Sequence, residues 1–102
     1  MTVYVDDFGI QATVRNGSRV HRSRWYHLVA DTQDELHEFA VGKLGLRRSY
    51  FQLGPRIGGE YTEWHYDLTE GKRRQAIRAG AVPVSAYKLA EIMAEREDQK
   101  AR

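Results

Sequence analysis

The chain has 102 residues, of which 41% are hydrophobic, 11% aromatic and 29% charged, with a net charge of +2. That is the length and make-up of one globular domain, too short for two and too apolar for a disordered chain. The absence of cysteine excludes disulfides, thiolate chemistry and cysteine-ligated zinc or iron–sulfur sites.

In chain order, Val3-Tyr4-Val5 predicts a strand from its β-branched and aromatic residues, and it ends in Asp6-Asp7. Ile10 to Val14 predicts one arm of a hairpin, with Asn16-Gly17 as its type I′ turn. Arg24 to Ala30 predicts a second firm strand. Its alternation puts Trp25, His27 and Val29 on one face, and Tyr26, Leu28 and Ala30 on the other. Asp31, with Asp34 three residues on, predicts the N-cap of a helix over 32–44. Leu36, Phe39, Ala40 and Leu44 form its apolar stripe, and Gly45 is its stop.

Residues 52–64, with Gly54-Pro55 and Gly58-Gly59, predict a surface loop. Asp67-Leu68-Thr69-Glu70 has the form of a capping box opening a helix that ends at Gly80. Ala81 to Val84 predicts a short edge strand, because Pro83 has no N–H for a ladder. Ser85 then caps a final helix over 85–97, with Ala86, Leu89, Ala90 and Met93 facing inward. The order β-(β)-β-α-loop-α-β-α predicts an α/β fold, a small and mainly three-stranded sheet packed with two or three helices. Residues 1–94 make one domain, and 95–102 form a charged tail expected to fray. No stretch approaches the ~18 apolar residues of a membrane span, and the start lacks the regions of a signal peptide. A cytoplasmic protein with no membrane partner is the expectation.

Two groups of polar residues carry chemistry. Residues 71–89 hold Lys72, Arg73, Arg74, Arg78 and Lys88 and no acid, and a second basic cluster comprises Arg15, Arg19, Arg22 and Arg24. This pattern leads to a binding module for a nucleic acid or a phosphorylated ligand, engaged through Arg24, Lys72, Arg73 and Arg78. The aromatics Tyr4, Trp25, Tyr50, Phe51, Tyr61, Trp64 and Tyr66 could add stacking surfaces. Gln75 to Val82 faintly echoes a helix-turn-helix, which Pro83 disfavours.

The second group is acidic and imidazole. His65-Tyr66-Asp67, just ahead of Lys72-Arg73, can converge on a metal or a phosphate. Asp6, Asp7 and Asp67 could hold Mg²⁺ or Mn²⁺, with His65 as general acid or base and Lys72 or Arg73 stabilising phosphoryl charge. That is the alternative reading, a metal-dependent phosphoester hydrolase or nuclease with His65, Asp67 and Lys72 as catalytic residues. Asp31 joins Asp6 or Asp7 on one rim if their strands run parallel, and lies at the opposite end if they do not. Binding to a host protein is a third class. His37, at the edge of its helix's apolar stripe, and His27, inside a strand, read as boundary residues with satisfied hydrogen bonds, and no two of the four histidines lie three or four apart as a known zinc motif requires.

Three stretches together form a recognisable pattern: Val3-Tyr4-Val5-Asp6-Asp7, then His27-Leu28-Val29-Ala30-Asp31 leading into Glu35-Leu36-His37, then His65-Tyr66-Asp67-Leu68-Thr69 with Lys72-Arg73 and Gly80-Ala81-Val82. The combination resembles DUF4031, a family of short bacterial and phage proteins of unknown function. The resemblance covers roughly residues 2–84, makes Gly54 to Trp64 partly an insertion, and leaves the final helix outside. It implies an intracellular, often phage-encoded setting and supplies no activity.

Overall fold

The computed structural model describes residues 2–16 and 19–100, with side chains at 2–9 and 24–96. Strands β1 (Val3–Val5), β2 (Ile10–Asn16) and β3 (Arg19–Ala30) open the chain. Helix α1 (Gln33–His37) runs on as a π-helical segment, Glu38–Lys43, and a 3₁₀ turn follows at Arg48–Tyr50. Next come β4 (Arg56–Ile57), β5 (Glu60–Tyr61), β6 (Tyr66–Thr69), α2 (Glu70–Arg78), β7 (Val82–Pro83) and α3 (Ala86–Lys100).

The fold is α/β, but its mixed sheet has five strands rather than mainly three. β3 is its axis. Leu28 pairs with Val5 on β1 and with Tyr66 on β6, while Trp25 pairs with Ile10 on β2 and with Thr69 on β6. A strand residue has only two lateral neighbours, so β1 and β2 follow one another along one edge of β3 and β6 takes the other. β7 adds to β1 in parallel, and every other pairing is antiparallel. Pro83 therefore sits on an outer strand, as its missing N–H requires. Val82–Pro83 form that strand rather than part of a second helix, which ends the helix-turn-helix echo.

The alternation along β3 sends Tyr26, Leu28 and Ala30 into the core, with Val5, Leu36, Phe39, Ala40, Leu44, Tyr66, Leu68 and Ala76. Each large apolar side chain buried there contributes about 1.5–3 kcal/mol. β6 shares this register, so Tyr66 and Leu68 point into the core and Asp67 points the other way. That register overturns the capping box at Asp67. Asp67 is a strand residue, and Thr69 caps α2 by accepting from Lys72 N at 3.3 Å. The cap moves from Asp67 to Thr69 there, and by one residue at α1, where Thr32 is the N-cap and accepts from Glu35 N. Asp31 instead accepts from Thr2 N at 3.0 Å.

The surface loop of 52–64 is more ordered than its glycines suggest. β4 and β5 form a small hairpin of their own, and Gln52 and His65 exchange backbone hydrogen bonds at its base, both 2.9 Å. α3 buries Leu89 and Ile92, and also Arg96, whose guanidinium lies 3.6 Å over the Trp64 ring. Burial pulls the Arg96 pKa down to about 10, against the charges of Asp31 and Glu63. Gly17, Ser18 and the side chains of Arg15, Arg19 and Arg22 lie outside the described residues. Among the described residues no helix is long and apolar enough to cross a membrane.

Candidate metal centre

On the sheet face opposite the core, register places His27 of β3 directly across from Asp67 of β6. His65, two residues before Asp67, shares that face by the period of two. His65 Nε2 lies 3.2 Å from Asp67 Oδ1, and His27 Nε2 lies 3.9 Å from the same oxygen. One ligand atom from each of the three lies within 4.8 Å of the others. Two donors held about 2.1 Å from a common ion stand about 3.0 Å apart at a right angle and about 3.4 Å apart at the tetrahedral angle. The 3.2 Å pair is already at ligand spacing, the 3.9 Å pair closes with a contraction of about half an ångström, and the two imidazoles, within 4.8 Å of each other, would close by up to about 1.4 Å.

Each of these three side chains is held by its other polar atom. The Asp6 carboxylate, only 1% exposed, accepts from His27 N at 2.9 Å and from His27 Nδ1 at 2.7 Å. His65 Nδ1 donates to the Glu63 carbonyl at 2.7 Å, and Gln52 Nε2 donates to Asp67 Oδ2 at 2.6 Å. Asp6 is itself fixed, because its N–H bonds His27 O and its carbonyl accepts from Arg73 Nε at 2.8 Å. A polar row thus crosses the sheet, from Asp6 through His27 and Asp67 to Gln52. The three side chains remain partly open to solvent, His27 at 27%, His65 at 14% and Asp67 at 33%.

The hydrogen bond to Asp6 raises the His27 pKa above its ordinary value, against burial, and the charges of Asp6 and Asp67 add to the rise. For Asp67, burial pushes upward, but hydrogen bonds from His65 and Gln52 and the two imidazole charges outweigh it and leave the pKa lowered. The donor count is more telling. A carbonyl and a carboxylate can only accept, so Nδ1 of both imidazoles carries the proton. A neutral His65 then points its Nε2 lone pair at the Asp67 carboxylate. That contact is repulsive unless a proton or a cation sits between them.

The remaining predicted residues fall elsewhere. Asp7 accepts from Ala86 N with Oδ1 at the first turn of α3. Antiparallel pairing of β1 and β3 puts Asp31 at the far end from Asp6, so the shared rim does not form. Lys72 Nζ donates to Leu44 O at 2.6 Å, satisfying a carbonyl where the first helix ends, and to Gln75 Oε1. Arg73 stacks on Tyr26 at 5.1 Å besides holding the Asp6 carbonyl. Arg24 is exposed on β3, and Arg78 lies in the last turn of α2. Trp64 and Tyr66 are buried and present no stacking surface.

Sequence reasoning passed over His27 and Gln52. The alternation of β3 gave the face of His27, but its partner lies on β6 and no spacing announces it. His37, the other boundary histidine, hydrogen-bonds Tyr66 Oη through Nδ1 at 2.9 Å and packs edge-on against Phe51. Burial, with the nearby Arg48 charge, lowers its pKa.

A family described as "Protein of unknown function (DUF4031)" matches residues 3–96, so the match runs through most of α3 rather than stopping before it. No curated protein and no solved structure matches the chain.

Proposed function

The chain belongs to the DUF4031 family, and we propose that it holds a divalent metal ion on His27 Nε2, His65 Nε2 and Asp67 Oδ1 and hydrolyses a phosphoester there. The observation that carries the reading is the locked outer atom of every ligand. Asp6, the Glu63 carbonyl and Gln52 each hold one of the three, which is how metal-ligating imidazoles and carboxylates are oriented. Two imidazoles and one carboxylate suit zinc or iron better than magnesium, which prefers oxygen donors. In this reading Asp6 orients His27 rather than ligating, and His65 ligates rather than moving protons.

A bound ion would supply a Lewis acid and lower the pKa of a coordinated water to about 7. Hydrolysis of a phosphoester would take from that water the hydroxide added to phosphorus and the proton given to the leaving oxygen as the phosphorus–oxygen bond breaks. The chain's own part is geometric. β3 and β6 set the imidazoles and the carboxylate, and Asp6 and the Glu63 carbonyl keep both Nε2 lone pairs free. The three side chains are partly open to solvent, and a dication held by them would favour an anionic oxygen. Lys72 and Arg73 take no part, since both donate to backbone carbonyls.

Calorimetric titration of the metal-free protein with Zn²⁺, Fe²⁺ and Mn²⁺ tests the reading. One ion per chain is expected, with stabilisation of about 2.7 kcal/mol at a hundredfold excess over Kd, on the order of 10 °C in Tm. His27→Ala, His65→Ala and Asp67→Ala should each abolish the shift and the hydrolysis of bis(p-nitrophenyl) phosphate. A wild type that binds none of these ions, whose histidines are simply protonated against Asp6 and Asp67, overturns it.

A further inference from the structure

Gln52 is tied to this centre twice. Its backbone N–H and carbonyl pair with those of His65, and its side-chain Nε2 donates to Asp67 Oδ2. We infer that Gln52 is a positioning residue that keeps Asp67 a one-oxygen ligand, so that coordination positions stay open for a substrate oxygen. The inference rests on the metal reading above and specifies how that centre is kept accessible.

A carboxylate with both oxygens free can swing to chelate an ion through the pair. Three protein ligands bound through one atom each leave one open position on a four-coordinate ion and three on a six-coordinate one. A second oxygen from Asp67 would take one of them. The 2.6 Å bond from Gln52 occupies Oδ2, while Oδ1 is the oxygen nearest both imidazoles. The amide is well placed for this, because its side chain departs from a backbone locked to that of His65. Donor and ligand therefore keep a constant relation to each other. Gln52 is exposed, so packing is not its contribution.

The test uses the full chain loaded with Co²⁺ and azide as the probe of open positions, followed by visible absorption. Wild type should take one Co²⁺ and change its spectrum on azide addition. Gln52→Leu, which removes the donor, should still take Co²⁺ but bind azide about tenfold or more weakly. Gln52→Lys, which restores a donor to Oδ2, should regain azide binding. Wild-type azide affinity in Gln52→Leu overturns the inference, as does a Gln52→Lys variant no better than Gln52→Leu. Loss of Co²⁺ itself from a folded Gln52→Leu also overturns it, because the donor then sets affinity and not coordination number. A wild type that takes no Co²⁺ is a different failure, that of the metal reading itself.

Discussion

Asp6→Asn isolates the orientation of His27 with almost no change of volume. The carboxylate accepts two bonds from one residue, Oδ1 from His27 N and Oδ2 from His27 Nδ1. The backbone N–H can only donate, so the new amide must offer its oxygen there and turn its NH₂ toward the ring. Nδ1 then has to accept, and the single proton of a neutral imidazole moves to Nε2. That is the atom facing Asp67 and His65, and a protonated Nε2 cannot ligate. Losing such a partner costs about 10–100-fold in metal affinity, which is about 1.4–2.7 kcal/mol. The fold loses less. A charge-assisted hydrogen bond of about 1.5–3 kcal/mol disappears, but so does the cost of keeping a carboxylate dry, for a net loss of about 1 kcal/mol. Long-range ¹H–¹⁵N spectra of the imidazole report the tautomer, and zinc calorimetry reports the affinity. A variant that keeps its proton on Nδ1, or binds zinc as wild type does, refutes the reasoning.

Without metal, the stability advantage of wild type over Asp6→Asn should be full below pH 6.5, the ordinary histidine value, because Asp6 raises the folded pKa of His27. It should shrink as pH rises through that raised value, and urea midpoints that show a constant or growing gap above neutrality contradict the sign. His37 works the other way. Its lowered folded pKa gives a contribution that is full above pH 6.5 and lost as pH falls, so His37→Gln should flatten the acid side of the same profile. Tyr66→Phe deletes the hydroxyl bonded to His37 on the core face and should cost about 1–3 kcal/mol in urea denaturation while leaving zinc affinity unchanged; a collapse of zinc binding would mean that the two faces are coupled. Gly54 has φ +73°, and a Cβ there would stand 2.9 Å from the Glu63 carbonyl oxygen that holds His65. Gly54→Ala should therefore cost about 1–3 kcal/mol and weaken zinc binding as well, and wild-type values for both would show that the carbonyl shifts without consequence.

The strands at Val3–Val5 and through Ala30, the first helix with its stripe of Leu36, Phe39, Ala40 and Leu44, and the α/β class are all legible because each is encoded by near neighbours. A period of two or of 3.6, with a cap and a glycine stop, needs no distant partner. Residues that satisfy two local patterns at once are where the reading slips. Asp67-Leu68-Thr69-Glu70 passes for a capping box, and Tyr66-Asp67-Leu68-Thr69 passes equally for an alternating strand. Burial of Tyr66 and Leu68 against the core decides for the strand. Asp31 and Thr32 offer two adjacent caps, and the Thr2 N–H claims the first. The candidate centre shows the same division. His65 and Asp67 are two residues apart and were visible together, whereas His27 becomes their neighbour only through the β3–β6 register and Asp6 only through the β1–β3 register. Lys72 and Arg73 look from the sequence like free phosphate binders, yet the packing of α2 turns them onto the carbonyls of Leu44 and Asp6. Local pattern determines which elements form and which way each residue faces. Which faces meet depends on strand register, and that is set by burial of the opposite face, a property of the whole chain.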